Sequence, residues 1–229
     1  MSKKTKKRKK KKSPLKKRST SRSANNKAKG ARQELSSYTI SYEPIGEPSG
    51  ESSLPEKLEN ELEYIFEKCQ TDPGPIIDRL IELIEEYPHI PRLYNFISVA
   101  YSNLGNQKKA KHWVLENYKK NPDYLFSKLG YAEICLNEGN FQKIPEIFDK
   151  KFDLKLMYPE RDIFHITEVV GFLGVSGTYF ALADMWEPCK VCYESLLELD
   201  PDHPSTKRLQ QLCFINSMQE KLKNLTGQK

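Results

Sequence analysis

Cys189-Lys190-Val191-Cys192 is a C-x-x-C, a spacing at which two thiols can cycle to a disulfide or supply half of a zinc site. Redox pairs of that form sit beside a βαβ pattern, and zinc requires a second pair of ligands. Cys213 and His203 could supply one, but their spacing matches no standard zinc finger. Gly171, Gly174 and Gly177 spell G-x-x-G-x-x-G, a superficial likeness to a nucleotide loop. No Gly-Lys-Ser/Thr accompanies it, and no strand is expected ahead of it to form a Rossmann turn. His89, His112, His165 and His203 are isolated, with no H-E-x-x-H and no nucleophile elbow. The expectation is therefore a protein without catalytic residues, bound metal or cofactor.

The elements that carry these residues read as helices throughout the body. Leu58, Leu62, Ile65 and Phe66 recur at helical spacing, and Thr71-Asp72-Pro73-Gly74-Pro75 then breaks the chain. Ile76, Ile77, Leu80, Ile81, Leu83 and Ile84 form the next amphipathic helix, which ends at Tyr87-Pro88. Over 91–124, Tyr94, Ile97 and Tyr101 make one stripe. A turn at Asn103-Leu104-Gly105-Asn106 follows, then a second stripe through Ala110, Val114 and Tyr118, stopped by Asn121-Pro122.

That spacing resembles the tetratricopeptide repeat, a 34-residue helix–turn–helix unit whose diagnostic slots are Trp, Leu-Gly, Tyr, Ala, Phe and Pro. Here they hold Tyr94, Ile97-Ser98, Tyr101, Ala110, Val114 and Pro122, with Ser98 for Gly and Val114 for Phe as the departures. Counting outward, the resemblance implies repeats at 57–90, 91–124, 125–158 and 170–203 and a capping helix at 204–224. The fold class expected is an all-α, right-handed solenoid of about four hairpins over 53–224. Pro88 precedes Pro122 by 34 residues, whereas Pro159 comes three residues late for the third repeat. An insertion of about 11 residues over 159–169 is expected as a loop or an elongated helix. Cys189 falls in the small-residue slot of Ala110, which favours a packing role for the C-x-x-C.

In this family the first helix of each repeat lines a concave surface that grips extended peptides or helices. The resemblance assigns Arg92, Asn95, Val99, Ser102 and Asn103 to that groove in the second repeat. The third contributes Phe126, Leu129, Glu133, Leu136 and Asn137, and the fourth Gly171, Gly174, Thr178, Ala181 and Leu182. The amides of Asn103 and Asn137, one repeat apart, could hold a peptide backbone or simply end their helices. Gly171 and Gly174 would deepen the groove or else kink the helix, at a cost of about 1 kcal/mol each relative to Ala. The Lys/Asn/Arg clamp that reads chaperone C-termini is missing, its slots holding Glu61, Ile65, Phe96, Phe126 and Gly130.

Charge divides the chain sharply. The net charge is +6 over 229 residues, yet residues 1–32 hold 16 Lys and Arg and no acid, leaving a net of −10 on the rest. Residues 1–52 are expected to be a disordered Lys/Arg-rich tail and a Pro/Gly/Ser linker. Lys6, Lys7, Arg8, Lys9, Lys10, Lys11, Lys12, Lys16, Lys17 and Arg18 suit an anionic partner: nucleic acid, a ribosome or an anionic membrane surface. The alternative is a solubilising tail that folds back on the acidic body. Within the linker, Tyr38-Thr39-Ile40-Ser41-Tyr42 alternates like a short strand that would need a partner to pair with. No apolar run of 18 residues exists, so no membrane span is expected. Five scattered cysteines are read as reduced thiols of an intracellular, cytoplasmic protein, and in a eukaryotic host Lys6 to Lys12 and Lys16 to Arg18 also read as a nuclear address.

Overall fold

The structure is a computed structural model describing residues 38–42 and 56–227. The expected disorder of 1–37 and 43–52 lies outside those residues. The body is mostly helical: α1 (Glu56–Thr71), α2 (Ile77–Glu86), α3 (Pro91–Asn103), α4 (Gln107–Lys120), α5 (Leu125–Asn137), α6 (Ile144–Ile147), α7 (Leu154–Met157), α8 (Ile166–Leu182), α9 (Trp186–Leu199) and α10 (Pro204–Thr226). Single 3-10 turns, Gly74–Ile76 and Phe141–Lys143, lead into α2 and α6. Two strands, β1 (Thr39–Ser41) and β2 (Ile163–His165), are the departure from an all-α chain.

Two turns recur, and each has a local chemical cause. The first joins helices of one hairpin. Asn106 N–H reaches back to Tyr101 O at 2.8 Å, Asn140 N–H to Cys135 O at 2.8 Å, and Met185 N–H to Phe180 O at 2.7 Å. This six-to-one closure needs a left-handed residue just past the helix, which is Gly105 (φ 74°), Gly139 (φ 74°) or Asp184 (φ 60°). The second turn joins one hairpin to the next. The N–H of Ile90, Tyr124, Arg161 and His203 donates to the carbonyl of Tyr87, Asn121, Tyr158 and Asp200, at 3.0–3.3 Å. In all four the second residue is proline (Pro88, Pro122, Pro159, Pro201), whose fixed φ presets that corner of a β-turn.

Pro159 thus closes the third unit, and the surplus residues are divided rather than pooled at 159–169. Three fall between Gly139 and Pro159, where Asp149 and Lys150 have φ of 51° and 59°. The rest lie between the Pro159 turn and Asp184, as β2 and as an α8 that starts at Ile166, four residues ahead of the expected boundary at 170. The second helix of this unit shrinks to α6, with α7 after it.

Helices α1, α3, α5, α8 and α10 touch in succession, while α2, α4 and α9 pack on α3, α5 and α10. Their apolar faces bury three clusters. Leu62, Ile65, Leu80, Leu83, Leu93 and Ile97 centre the first. Leu125, Phe148, Leu154, Phe164 and Phe172 centre the second, and Val170, Cys189, Leu196 and Leu209 the third. β1 lies parallel to β2, with Thr39, Ile40 and Ser41 opposite Ile163, Phe164 and His165. The segment 38–42, placed by the sequence in the linker, is therefore part of the body.

Candidate functional site

The residues assigned to a groove separate into those built into helix contacts and those left exposed. Leu129 on α5 is buried, and a Cβ at Gly171 of α8 would lie 3.0 Å from its Cδ1. A Cβ at Gly174 would lie 2.6 Å from Ser205 Cβ at the start of α10. Thr178 is buried and donates its hydroxyl to Gly174 O at 2.7 Å. Leu129, Gly174 and Thr178 are thus buried in helix contacts, and the half-buried Gly171 lies against Leu129. Helix α8 runs unbroken through both glycines, because their missing side chains admit α5 and α10. A short strand, β2, does precede these glycines, contrary to expectation, but all three sit inside a helix and form no loop.

Polar members of the set are also engaged. Glu133 takes a bidentate pair from Arg208 of α10, at 2.8 and 3.1 Å. Asn95 Oδ1 accepts from the buried Asn117 amide at 2.8 Å, and that amide also reaches Pro91 O. Phe126 is half-buried against Tyr124, while Leu136 packs on the second cluster. Asn137, Ser102, Val99 and Leu182 are exposed, whereas Ala181 is buried in the third cluster.

Helix α10 leaves Phe214, Ile215, Met218, Leu222 and Leu225 exposed, and a second open apolar stretch is the seam between α1 and α3. At one end Arg92 Nη2 bonds Glu59 Oε1 at 2.9 Å. At the other Asn103 Nδ2 donates to Cys69 O at 2.8 Å, so this amide does hold a backbone carbonyl, that of the last turn of α1. Between them Phe66 and Phe96 meet with ring centroids 5.7 Å apart, and the Cys69 thiol donates to Phe96 O. Phe66 is 54% exposed and Val99 43%. Phe66 was assigned only to a helical stripe, because nothing local to α1 indicates that α3 covers one side of it alone. One ionic end, one amide end and an open apolar centre are what an extended or helical segment of another protein can cover.

The thiols pack in the core, and two of the four histidines cap helices. Cys189 and Cys192 are one turn apart on α9 and both buried, with Cys189 Sγ 3.8 Å from Cys213 Sγ. Burial pushes both thiols up to about 12, the reverse of what thiolate chemistry needs. Cys189 is five residues past Asp184, as Ala110 is past Gly105, and both are buried. His203 Nδ1 accepts from Ser205 N–H at 3.1 Å, capping α10. His165 caps α8 in the same way through Thr167 N–H, and the Glu168 carboxylate returns to His165 N–H at 2.9 Å. Among the described residues no group of three or more His, Cys, Asp and Glu is placed to hold a metal ion.

One buried cation was invisible in the sequence. Lys128 stands where the second unit has Tyr94, and its ammonium donates to Ile147 O at 3.0 Å and meets Asp149 Oδ2 at 3.3 Å. It holds the last carbonyl of the shortened α6 and the left-handed residue after it. A second basic feature is open. Helix α4 exposes Lys108, Lys109, Lys119 and Lys120, while Lys111 pairs with Glu138. The tail residues Lys6 to Lys12 and Lys16 to Arg18 lie outside the described residues. No helix among the described residues is long and apolar enough to cross a membrane. No protein-family model matches this chain, and no curated protein matches it.

Proposed function

We propose that the chain is a non-enzymatic adaptor of the tetratricopeptide type, which binds a protein or peptide segment on the first helices of its units and works in the cytoplasm. The recurrence of two turn types between paired helices, with the turn prolines 34, 37 and 42 residues apart, supports the repeat assignment. The observation that carries the binding assignment is the α1–α3 seam, where Phe66 and Val99 are exposed between the Glu59–Arg92 pair and the Asn103 cap. An aromatic side chain half out of water beside a second ring gives a partner an apolar anchor, and the Glu59–Arg92 pair at one end sets its direction.

A photo-crosslinking amino acid placed at Phe66, at Val99, or at Val191 on α9 tests this in the full chain inside its host cell. Val191 is 62% exposed and far from the seam in sequence and element order, which makes it the control. The same discrete protein adduct at 66 and 99, absent at 191, is expected. Adducts alike at all three positions, or none at 66 and 99, would reject the seam.

A second function is favoured by α4, whose four exposed lysines add to the basic N-terminus: a nucleic-acid- or ribosome-associated factor. Such binding weakens linearly in log–log salt plots with the number of phosphates neutralised. RNA affinity measured against salt for the full chain, for residues 33–229 and for Lys108→Gln/Lys119→Gln decides it. A slope unchanged by both alterations would remove this alternative.

A further inference from the structure

We propose that β2 and the turn before it form a strand-addition site, which takes an extended peptide with an aromatic residue at one position and an aliphatic residue two further on. In this chain β1 occupies that site in cis. The pairing is parallel and three residues long, with Thr39 N–H donating to Asp162 O at 2.8 Å. Tyr38 and Ile40 pack into the second core cluster, while Thr39 between them faces solvent. The floor is Phe164, fully buried, with the Tyr38 ring edge-on to it at 5.1 Å. Arg161 lies 4.3 Å over the same ring, and Tyr158 flanks it at 6.2 Å. Main-chain bonds on one side and alternate side chains in an apolar floor are the two components by which an added strand is recognised.

The occupant's main-chain attachment is short: its pairing is parallel, the weaker kind per residue, so Tyr38 and Ile40 against the second cluster and α8 supply most of the hold. Thirteen residues separate Tyr42 from α1, so the in-cis strand competes mainly through its tether, at an effective concentration on the order of millimolar. A segment of the same chemistry on another protein, offered at comparable local concentration, displaces it. Strand β2 and the Pro159 turn supply the floor whichever strand is present, since Phe164 also packs with Tyr158 and Arg161.

The test uses the full chain and a fluorescently labelled peptide of residues 36–44. Thr39→Pro removes the N–H that Asp162 accepts without altering a core-facing side chain, and Ile40→Asp removes the aliphatic anchor. Both variants are expected to bind the peptide at least about tenfold more tightly than the unaltered chain, because the tethered competitor is weakened. A peptide carrying Tyr38→Ser and Ile40→Ser is expected not to bind. Should Ile40→Asp fail to fold, Thr39→Pro alone carries the comparison, with helical circular dichroism as the check. Equal weak binding to all three chains, or binding of the altered peptide, overturns the proposal. So does a dimer of the unaltered chain that Thr39→Pro converts to monomer, which would assign the site to the strand of a second copy.

Discussion

The three glycines of α8 carry the same intrinsic cost, so replacing each by alanine separates helix propensity from packing. Alanine favours a helix interior over glycine by about 1 kcal/mol. At Gly171 a new Cβ meets the Cδ1 of Leu129 at 3.0 Å, the far end of a side chain that can rotate aside. Gly171→Ala should therefore be neutral to about 1 kcal/mol stabilising. At Gly174 it meets Ser205 Cβ at 2.6 Å, and at Gly177 Cys192 Cβ at 2.9 Å and Leu209 Cδ1 at 2.4 Å. A Cβ cannot swing away, so α10 or α9 must shift, and overpacking of that kind costs about 1–3 kcal/mol. After the propensity gain, Gly174→Ala and Gly177→Ala should be destabilised by about 1 kcal/mol net. For a body of this size that lowers Tm by about 2–4 °C. Urea unfolding followed by far-ultraviolet circular dichroism reads all three. If Gly174→Ala gains as much as Gly171→Ala, the close approach of α10 to α8 is refuted.

Three further outcomes follow from buried chemistry. Lys128→Met keeps the apolar stem but strips the ammonium from Ile147 O; urea unfolding should show a loss of about 2 kcal/mol, the scale of a charge-assisted hydrogen bond. The exposed Asp149 carboxylate is simply rehydrated, so a loss well under 0.5 kcal/mol would remove Lys128 as the anchor of α6. The Glu133–Arg208 pair is about one-third exposed on both sides, so a Glu133→Gln/Arg208→Gln double-mutant cycle should give a coupling of only about 0.5–1 kcal/mol that falls with salt. Burial raises the thiols of Cys69 to about 11 and of Cys189 and Cys192 to about 12. Unfolded thiols ionise at lower pH than these, so the unfolded chain holds fewer protons through pH 9–11. Stability should be unaffected by them below pH 9 and decline as pH rises above it, with the slope in Tm reduced by Cys192→Ala.

Turns were the most legible part of the fold, because their chemistry is local. Pro88, Pro122 and Pro201 preset one corner, and Gly105 and Gly139 tolerate the positive φ of the other. Asp184 takes the same left-handed conformation as those glycines without announcing it, since aspartate adopts it less often. The groove set was less legible. Slot counting identifies the face a residue occupies on its own helix but not what covers that face, and here α5 and α10 close over α8. Leu129 and Ser205 fill the space that Gly171 and Gly174 leave, and Arg208 takes Glu133. Lys128 was unreadable for a different reason: a lysine is normally solvated, and the Ile147 carbonyl and Asp149 carboxylate, 19 and 21 residues away, make its burial tolerable. The strand at 39–41 alternates visibly, yet its partner lies more than 120 residues on.

The Lys128 anchor and the pairing of the 39–41 strand meet in the third unit. Its second helix stops at Ile147, where Lys128 holds the final carbonyl and the chain turns through two left-handed residues. A full-length helix there would have covered the apolar side of α5 and α8, as α4 and α9 do in the other units. The space goes instead to Phe148 and Phe152, which stack among Phe172, Tyr179 and Phe180, and to Phe164 on β2. Aromatic rings fill volume but leave β2 with an unpaired edge, and unpaired backbone beside an apolar floor favours another strand. Tyr38 and Ile40 satisfy both needs with five residues. Shortening one helix and recruiting a strand from upstream of α1 are therefore two sides of a single change. The place where the repeat pattern fails is also where the body is open to a segment from outside its own hairpins.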